Sequence, residues 1–335
     1  MHWGTRRRAA AFTLVELLAV IAIISLLIGL LVPGIAAARR SARKTVTKSV
    51  IGSVTTALEA FKGEERLGGS YPPSRSDRGE AAGDRFKVRN PYVDGLVDMQ
   101  ISGAGLLVWA LLGADYLGPP GFKVFNTNGS PVSTRWSEDT HRVNVSDDPT
   151  RSGAYALRSD GRPVQTRAGR FVEPENMRLS KRKEGASTFV IETEEDKRER
   201  DYPMFLDGFG FPLLYWRADA AGRRWVDLTS DGSVASTAAD RGIYHWSDNG
   251  MLVDTNSDAR LRTDGSGGTK HRLGWPGNVG SWTPTNAPRD GSFPAFILDR
   301  QIQARLTPFR PDSYLLISPG PDGAYGTGDD ITNFK

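Results

Sequence analysis

An α+β fold is predicted, in which one long N-terminal helix, transmembrane at first and amphipathic further on, packs on a C-terminal β-sheet domain. Two observations predict it. An apolar run between two arginine clusters near the N-terminus is continued by apolar residues at helical spacing. Far downstream, short runs rich in β-branched and aromatic residues alternate with turn formers, the pattern of strands.

The helix starts in the stretch Arg6 to Arg40, RRRAAAFTLVELLAVIAIISLLIGLLVPGIAAARR. Leu17 to Ile35 carries no charge, and at 1.5 Å of rise per residue it reaches about 28 Å, close to the ~30 Å hydrocarbon core of a bilayer. A single membrane-spanning helix follows. The competing reading is a secretory signal peptide, because basic residues precede the run. Against it, the run exceeds the usual ~7–15 apolar residues, and no small-x-small cleavage site intervenes before Arg39, Arg40, Arg43 and Lys44. Glu16, near the start of the run, is costly in a membrane, on the order of 2.5 kcal/mol or more at its centre, and so calls for a partner. Beyond Arg40, the residues Val46, Val50, Val54, Leu58 and Phe61 recur every three or four positions and mark one buried stripe, with Lys44, Lys48 and Thr55 on the opposite face. Pro33 and Gly34 are expected to kink or locally melt the helix. Gly63 and the segment Gly68 to Pro73 end it. Charge alone does not orient the span: Arg6 to Arg8 favour a cytoplasmic N-terminus, but the four cations after the helix pull the other way.

Residues 74–100 are charged and aperiodic and read as loop, with room for a short helix. Gly103 to Leu112 is apolar throughout, too short to cross a bilayer, and followed by Gly113 and Pro119-Pro120, so it reads as a buried helix covering a sheet. From about Gly121 to Lys183 turn formers and charges alternate, with strand candidates at Phe122 to Phe125 and His141 to Val145. Stronger strand signals follow at Thr188 to Thr193, Phe211 to Trp216, Arg224 to Thr229, Ala295 to Asp299 and Tyr314 to Ser318.

Composition narrows the function. The 335 residues leave room for one large domain beyond the helix, and 39% are hydrophobic, as in globular chains. The formal charge of +4 owes much to Arg6, Arg7 and Arg8, without which 40 basic residues stand against 39 acidic ones. No nucleic-acid partner is therefore expected. There is no cysteine, so no disulfide closes any loop. His2, His141, His245 and His271 are scattered without metal-ligand spacing and read as solvated or core histidines. Nucleophile-elbow, P-loop, dinucleotide and HExxH patterns are absent, which speaks against an enzyme. Asp254 to Asp258 alternates oxygen ligands but lacks the glycine and closing glutamate of an EF-hand, and reads as a solvated turn rather than a metal site. At the C-terminus, Asp322, Asp329 and Asp330 stand among glycines in the run from Pro319 to Ile331. They supply hard oxygen ligands of the kind calcium takes, or else an acidic solvated hairpin.

The residues Ala11-Phe12-Thr13-Leu14-Val15-Glu16-Leu17-Leu18 closely resemble the class III signal of type IV pilins and type II secretion pseudopilins. The resemblance implies that a prepilin peptidase cuts between Ala11 and Phe12 and methylates the new amine of Phe12. It also implies that Glu16, then the fifth residue, pairs with the N-terminal amine of a neighbouring subunit in a filament. The family usually has glycine before the cut; Ala11 is small enough to take its place. Pro33 and the Tyr71-Pro72-Pro73 turn also match features frequent in the family. The run Asp207-Gly208-Phe209-Gly210-Phe211-Pro212 resembles a signature of the major pseudopilins that opens their antiparallel sheet, with Phe209 in place of a tryptophan. The segment Ser318 to Ile331 resembles their calcium-binding C-terminal loop, which implies Asp322, Asp329 and Asp330 as ligands, with carbonyls from Pro319 to Thr327 completing the shell.

By this resemblance the fold is pilin-like. Residues 1–11 form a cytoplasmic leader, 12–38 the transmembrane helix, 39–63 its amphipathic continuation, and 64–335 an exported domain with insertions at about 121–183 and 230–292. The implied place is the inner membrane, single-pass, with the C-terminal domain in the periplasm. The implied role is that of a structural subunit of a type II secretion pseudopilus. Its partners would be the prepilin peptidase, copies of itself and other pseudopilins, the inner-membrane assembly platform and membrane lipid. A type IV pilin for adhesion or motility, and a single-pass ligand-binding protein, are the alternatives.

Overall fold

The computed structural model describes residues 14–64, 67, 69–74, 87–88, 97–98, 102–113, 118–119, 124–125, 131–133, 167–180, 204–227, 241–253, 271–276 and 279–335. Helix α1, Leu14–Gly63, is 50 residues long, which corresponds to about 75 Å. It continues through Pro33 and Gly34 without the expected local melting; proline removes one bond of the ladder, and the turns on either side hold.

The two halves of α1 differ. Between Leu14 and Val46 no side chain is buried, and the large apolar ones stand bare, from Leu14 at 77% exposure to Ile35 at 43%. From Thr47 on, one stripe is buried: Thr47, Val50, Ile51, Val54, Ala57, Leu58 and Phe61. Val46, expected in that stripe, is 46% exposed because the seat begins one residue later. After Gly63 the chain turns through a bond from the Glu64 amide to the Phe61 carbonyl at 3.2 Å and enters the buried segment Tyr71 to Ser74.

That segment meets an antiparallel sheet made of β5 (Leu214–Arg217), β6 (Tyr314–Ser318) and β7 (Ile331–Thr332), with β6 in the middle. Two shorter antiparallel pairs precede it in the chain, β1 (Lys87–Val88) with β2 (Val97–Asp98), and β3 (Val124–Phe125) with β4 (Pro131–Ser133). All five residues of β6 are buried, and the alternation of side chains across a strand sorts them into two cores. Tyr215, Tyr314 and Leu316 join the α1 stripe in one apolar cluster. Leu214, Trp216, Leu315 and Ile317 join a second, with Tyr244, Trp246, Leu252, Leu273 and Phe293. From the region read as an insertion at 230–292, Tyr244, Trp246, Leu252 and Leu273 among the described residues thus contribute side chains to the far face of the sheet.

Helix α2, Gly103–Leu112, is buried at every residue and packs on β5, the role its apolar run predicts. Ser102 caps it by accepting from the Gly105 amide at 3.3 Å. Asn249 fastens it to the sheet, accepting from the Ala104 amide at 3.0 Å and donating to the Tyr215 carbonyl at 2.7 Å. Just beyond Asn249 comes the single turn α3, Gly250–Val253.

Two strand assignments need correction. Ala295 to Asp299 falls largely in helix α4, Phe293–Ile297, with Ser292 at its N-cap and Pro294 in its first turn. A proline in the first turn, with its φ already set for a helix, outweighs the strand preference of the phenylalanines and isoleucine. Of the strand expected at Arg224 to Thr229, the described part up to Asp227 forms only a single parallel bridge, Arg224 to Gly242, and residues 228–229 lie outside the described residues. Here a Cβ on Gly242 would stand 1.9 Å from the Asp227 nitrogen, so the two backbones run too close for a regular ladder. Phe211 to Trp216 becomes strand only from Leu214, while Tyr314 to Ser318 is β6 as expected. The candidates at His141 to Val145 and Thr188 to Thr193, and the Asp254 to Asp258 turn, lie outside the described residues.

Long helix and small antiparallel sheet together give the pilin-like α+β arrangement that the sequence predicts.

Candidate functional site

The bare half of α1 is the surface most in need of a partner. One helix, this one, is long and apolar enough to cross a membrane among the described residues. Glu16 lies in its first turn, where a carboxylate faces the positive end of the helix dipole. Ala11 and Phe12 lie outside the described residues.

Where the bare half ends, a knot of hydrogen bonds joins α1 to the sheet. The Thr47 hydroxyl donates to the Arg43 carbonyl at 3.0 Å, one turn back, and accepts from the Gly208 amide at 3.0 Å. A Cβ at Gly208 would stand 2.3 Å from the Arg43 carbonyl oxygen, so the loop reaches the helix only because position 208 has no side chain. Next to it, Asp207 is fully buried. Its Oδ1 accepts from the amides of Phe209, Gly210 and Phe211 at 2.8, 2.7 and 2.9 Å, and its Oδ2 from the Ser318 hydroxyl at 2.6 Å. Burial pushes the Asp207 carboxyl above its ordinary range, and these hydrogen bonds pull it part of the way back. One side chain thereby holds the turn that feeds β5, the last residue of β6, and, through Gly208, the seat of α1. The spacing Asp-Gly-Phe-Gly marks such a turn in sequence; the tie to Ser318 had no signal there.

A second seam pins the Tyr71 to Ser74 turn. Tyr215 donates to the Pro72 carbonyl at 2.6 Å, and the Tyr71 hydroxyl to Glu59 of α1 at 2.9 Å, with the Tyr71 and Tyr314 rings 4.8 Å apart. Ser74 donates to Asp248 at 2.6 Å and accepts from the Arg217 amide at 2.9 Å.

In the C-terminal loop, Asp322, Asp329 and Asp330 are each bonded by donors of the loop itself. Asp322 accepts from the Ala324 amide at 2.8 Å, and Asp329 from the Thr327 hydroxyl at 2.6 Å and the Asp322 amide at 3.3 Å. Asp330 accepts from the Gly326 amide at 2.8 Å and from the Thr327 amide and hydroxyl at 3.3 and 3.1 Å. Burial pushes the Asp330 carboxyl up to about 7, against the pull of these donors, and the charge of Asp322 adds to the rise. Asp329 is held below its ordinary range, since bonds from Thr327 and Asp322 outweigh its burial. The three carboxylates offer the hard oxygens a divalent cation takes, but among the described residues no three carboxylate or imidazole groups come together in a cluster fit to hold a metal ion. His245 and His271 are core residues, the first with Nδ1 3.0 Å from Asp227, the second accepting from the Tyr325 amide.

Residues 6–32 match the family model of the prokaryotic N-terminal methylation motif, the prepilin-type signal of type IV pilins and pseudopilins. Comparisons with curated proteins and with solved structures found no match. The matched signal overlaps the start of the bare apolar helix, and the two together support a membrane-anchored protein of type IV pilin-like or pseudopilin kind. The motif implies processing by a prepilin peptidase and assembly into pilus-like filaments, and its family is structural rather than enzymatic.

Proposed function

We propose that the chain is a structural subunit of a type II secretion pseudopilus, cut between Ala11 and Phe12 and assembled through α1 to drive protein export. The observation that carries this reading is the division of α1. Its first half, from Leu14 to Val46, buries nothing on its own domain, whereas Thr47 to Phe61 seat the domain firmly. A bilayer covers the bare half before assembly, and the same half of neighbouring copies covers it in a filament. Glu16 is then paired with the methylated amine of Phe12 on a neighbour, which removes the cost of its charge in an apolar setting. The domain stands on the periplasmic side of the inner membrane.

Two resemblances favour the pseudopilus over an adhesive or motile pilus: the Asp207 to Pro212 turn and the C-terminal acidic loop. They are joined in space by the Asp207–Ser318 bond. The deciding experiment is the variant Glu16→Ala in the native host. It inserts into the membrane as the wild type does but yields no filaments, and filaments at wild-type yield refute the pairing. Deleting the gene abolishes export of folded proteins and spares motility; the opposite outcome selects the pilus.

For the C-terminal loop, calcium bound by Asp322, Asp329 and Asp330 is a separate proposal, supported by the oxygen chemistry of the three side chains. An ion that binds only the folded loop stabilises it by mass action. Calcium then raises the melting temperature of a soluble fragment beginning near Ser41, and Asp322→Ala removes the rise. An unchanged melting temperature across a calcium titration refutes it.

A further inference from the structure

We propose that Arg39, Arg40, Arg43 and Lys44 form a cationic collar that binds the anionic headgroups of the bilayer anchoring α1, and so sets both the depth of Glu16 and the standoff of the domain. This rests on the membrane-spanning, domain-outside reading given above. Between Leu17 and Leu58 there is no acidic residue, and these four cations, with Lys48, are the only charges. On the helix, Arg39 lies one turn below Arg43, and Arg40 one turn below Lys44, so like charges repel at the spacing where opposite charges would support the helix. Arg39, Arg40 and Arg43 are exposed and Lys44 is half-buried. None of the four makes an ion pair with another described residue. The described part of the domain, which is seated only from Thr47 on, leaves the collar un-neutralised.

Its position selects the anion. The charge-free run ends at Ala38 and its last large apolar residue is Ile35; the collar lies four to nine residues beyond Ile35, about 6–14 Å along the axis. The headgroup layer extends about 5–8 Å beyond each edge of the hydrocarbon, within reach of arginine and lysine side chains lying along the helix. Lipid phosphates occupy this layer around every copy, and the guanidinium fork matches a phosphate in two hydrogen bonds. With the collar fixed there, Glu16 falls about 28 Å back from Ile35, at the opposite edge of the hydrocarbon, where a charge costs less than at the centre. Thr47, about 18 Å beyond Ile35, brings the domain to rest just outside the headgroups.

The full chain and a variant carrying Arg39→Gln, Arg40→Gln, Arg43→Gln and Lys44→Gln are reconstituted in vesicles of three parts phosphatidylcholine to one part phosphatidylglycerol. Spin-labelled lipids then report, by electron paramagnetic resonance, the preference of each protein for phosphatidylglycerol; Arg6 to Arg8 are common to both. The wild-type preference is expected to exceed the variant's about threefold, and the excess to vanish in about half-molar salt. A melt of each protein confirms that the domain is folded. Equal preferences in two folded proteins that both survive an alkaline wash overturn the collar and leave the membrane reading standing. Loss of the wild-type chain in that wash overturns both. A variant that loses filaments but keeps its lipid preference assigns the four cations to contacts between copies instead, and overturns the proposal.

Discussion

One methyl group at position 208 would stand 2.3 Å from the Arg43 carbonyl and 3.1 Å from the Thr47 hydroxyl, both on α1. Neither contact gives way cheaply, since one partner is helix backbone and the other is held by two hydrogen bonds. Gly208→Ala is therefore expected to lower stability by about 1–3 kcal/mol, the usual cost of overpacking. Gly169→Ala, where a Cβ meets nothing within 4 Å, is expected to leave stability unchanged or raise it by about 0.4–1 kcal/mol. Urea unfolding of the soluble fragment measures both, and equal effects would contradict the close approach. At this scale the sequence was half legible. Asp207 with its glycines announced a turn because the bonds within it are local. The bond to Ser318 is not, since no local pattern marks a partner 111 positions away. The three C-terminal aspartates were countable in the same way, but which loop donors they accept depends on the path of the backbone between them.

Among the elements, legibility followed burial. Tyr314 to Ser318 is read correctly because β6 is covered on both faces, which demands a continuous apolar run and leaves little else for it to be. Gly103 to Leu112 is legible for the same reason in helical form. Ala295 to Asp299 reads as a strand in sequence because a five-residue helix is too short to show periodicity, and Pro294 in its first turn is a weak marker on its own. The stripe on α1 is correct from Val50 to Phe61 and overextended at Val46, for helical spacing tells which face is apolar but not how far along the helix a domain reaches. That boundary can be tested. Leu58, with no exposed surface, is expected to lose about 2–5 kcal/mol on replacement by alanine. Val46→Ala, at a position 46% exposed, is expected to stay within about 0.5 kcal/mol of the wild type. Comparable losses at the two positions would mean that the seat extends further toward the membrane than the burial pattern allows.

For the molecule as a whole, the division of α1 makes the domain and the anchor separable in principle. Among the described residues none before Thr47 is buried, so removing the chain up to Arg40 takes no described residue from either apolar cluster. It also removes the bare surface that drives insertion and association. A fragment beginning at Ser41 is therefore expected to be a soluble monomer with one cooperative thermal transition. A fragment beginning at Val54 loses the Thr47–Gly208 bond together with the buried Val50 and Ile51, each worth about 1.5–3 kcal/mol. Its transition is expected to fall in temperature or to broaden away. Size-exclusion chromatography and calorimetry of the two fragments read this directly. If the Ser41 fragment aggregates or melts without cooperativity, the first half of α1 belongs to the folding unit, and a helix that both anchors and stabilises would replace the anchor-plus-domain plan. If it behaves as expected, the energy of filament assembly must come almost wholly from the bare half, because the seated half has already used its apolar stripe on its own sheet.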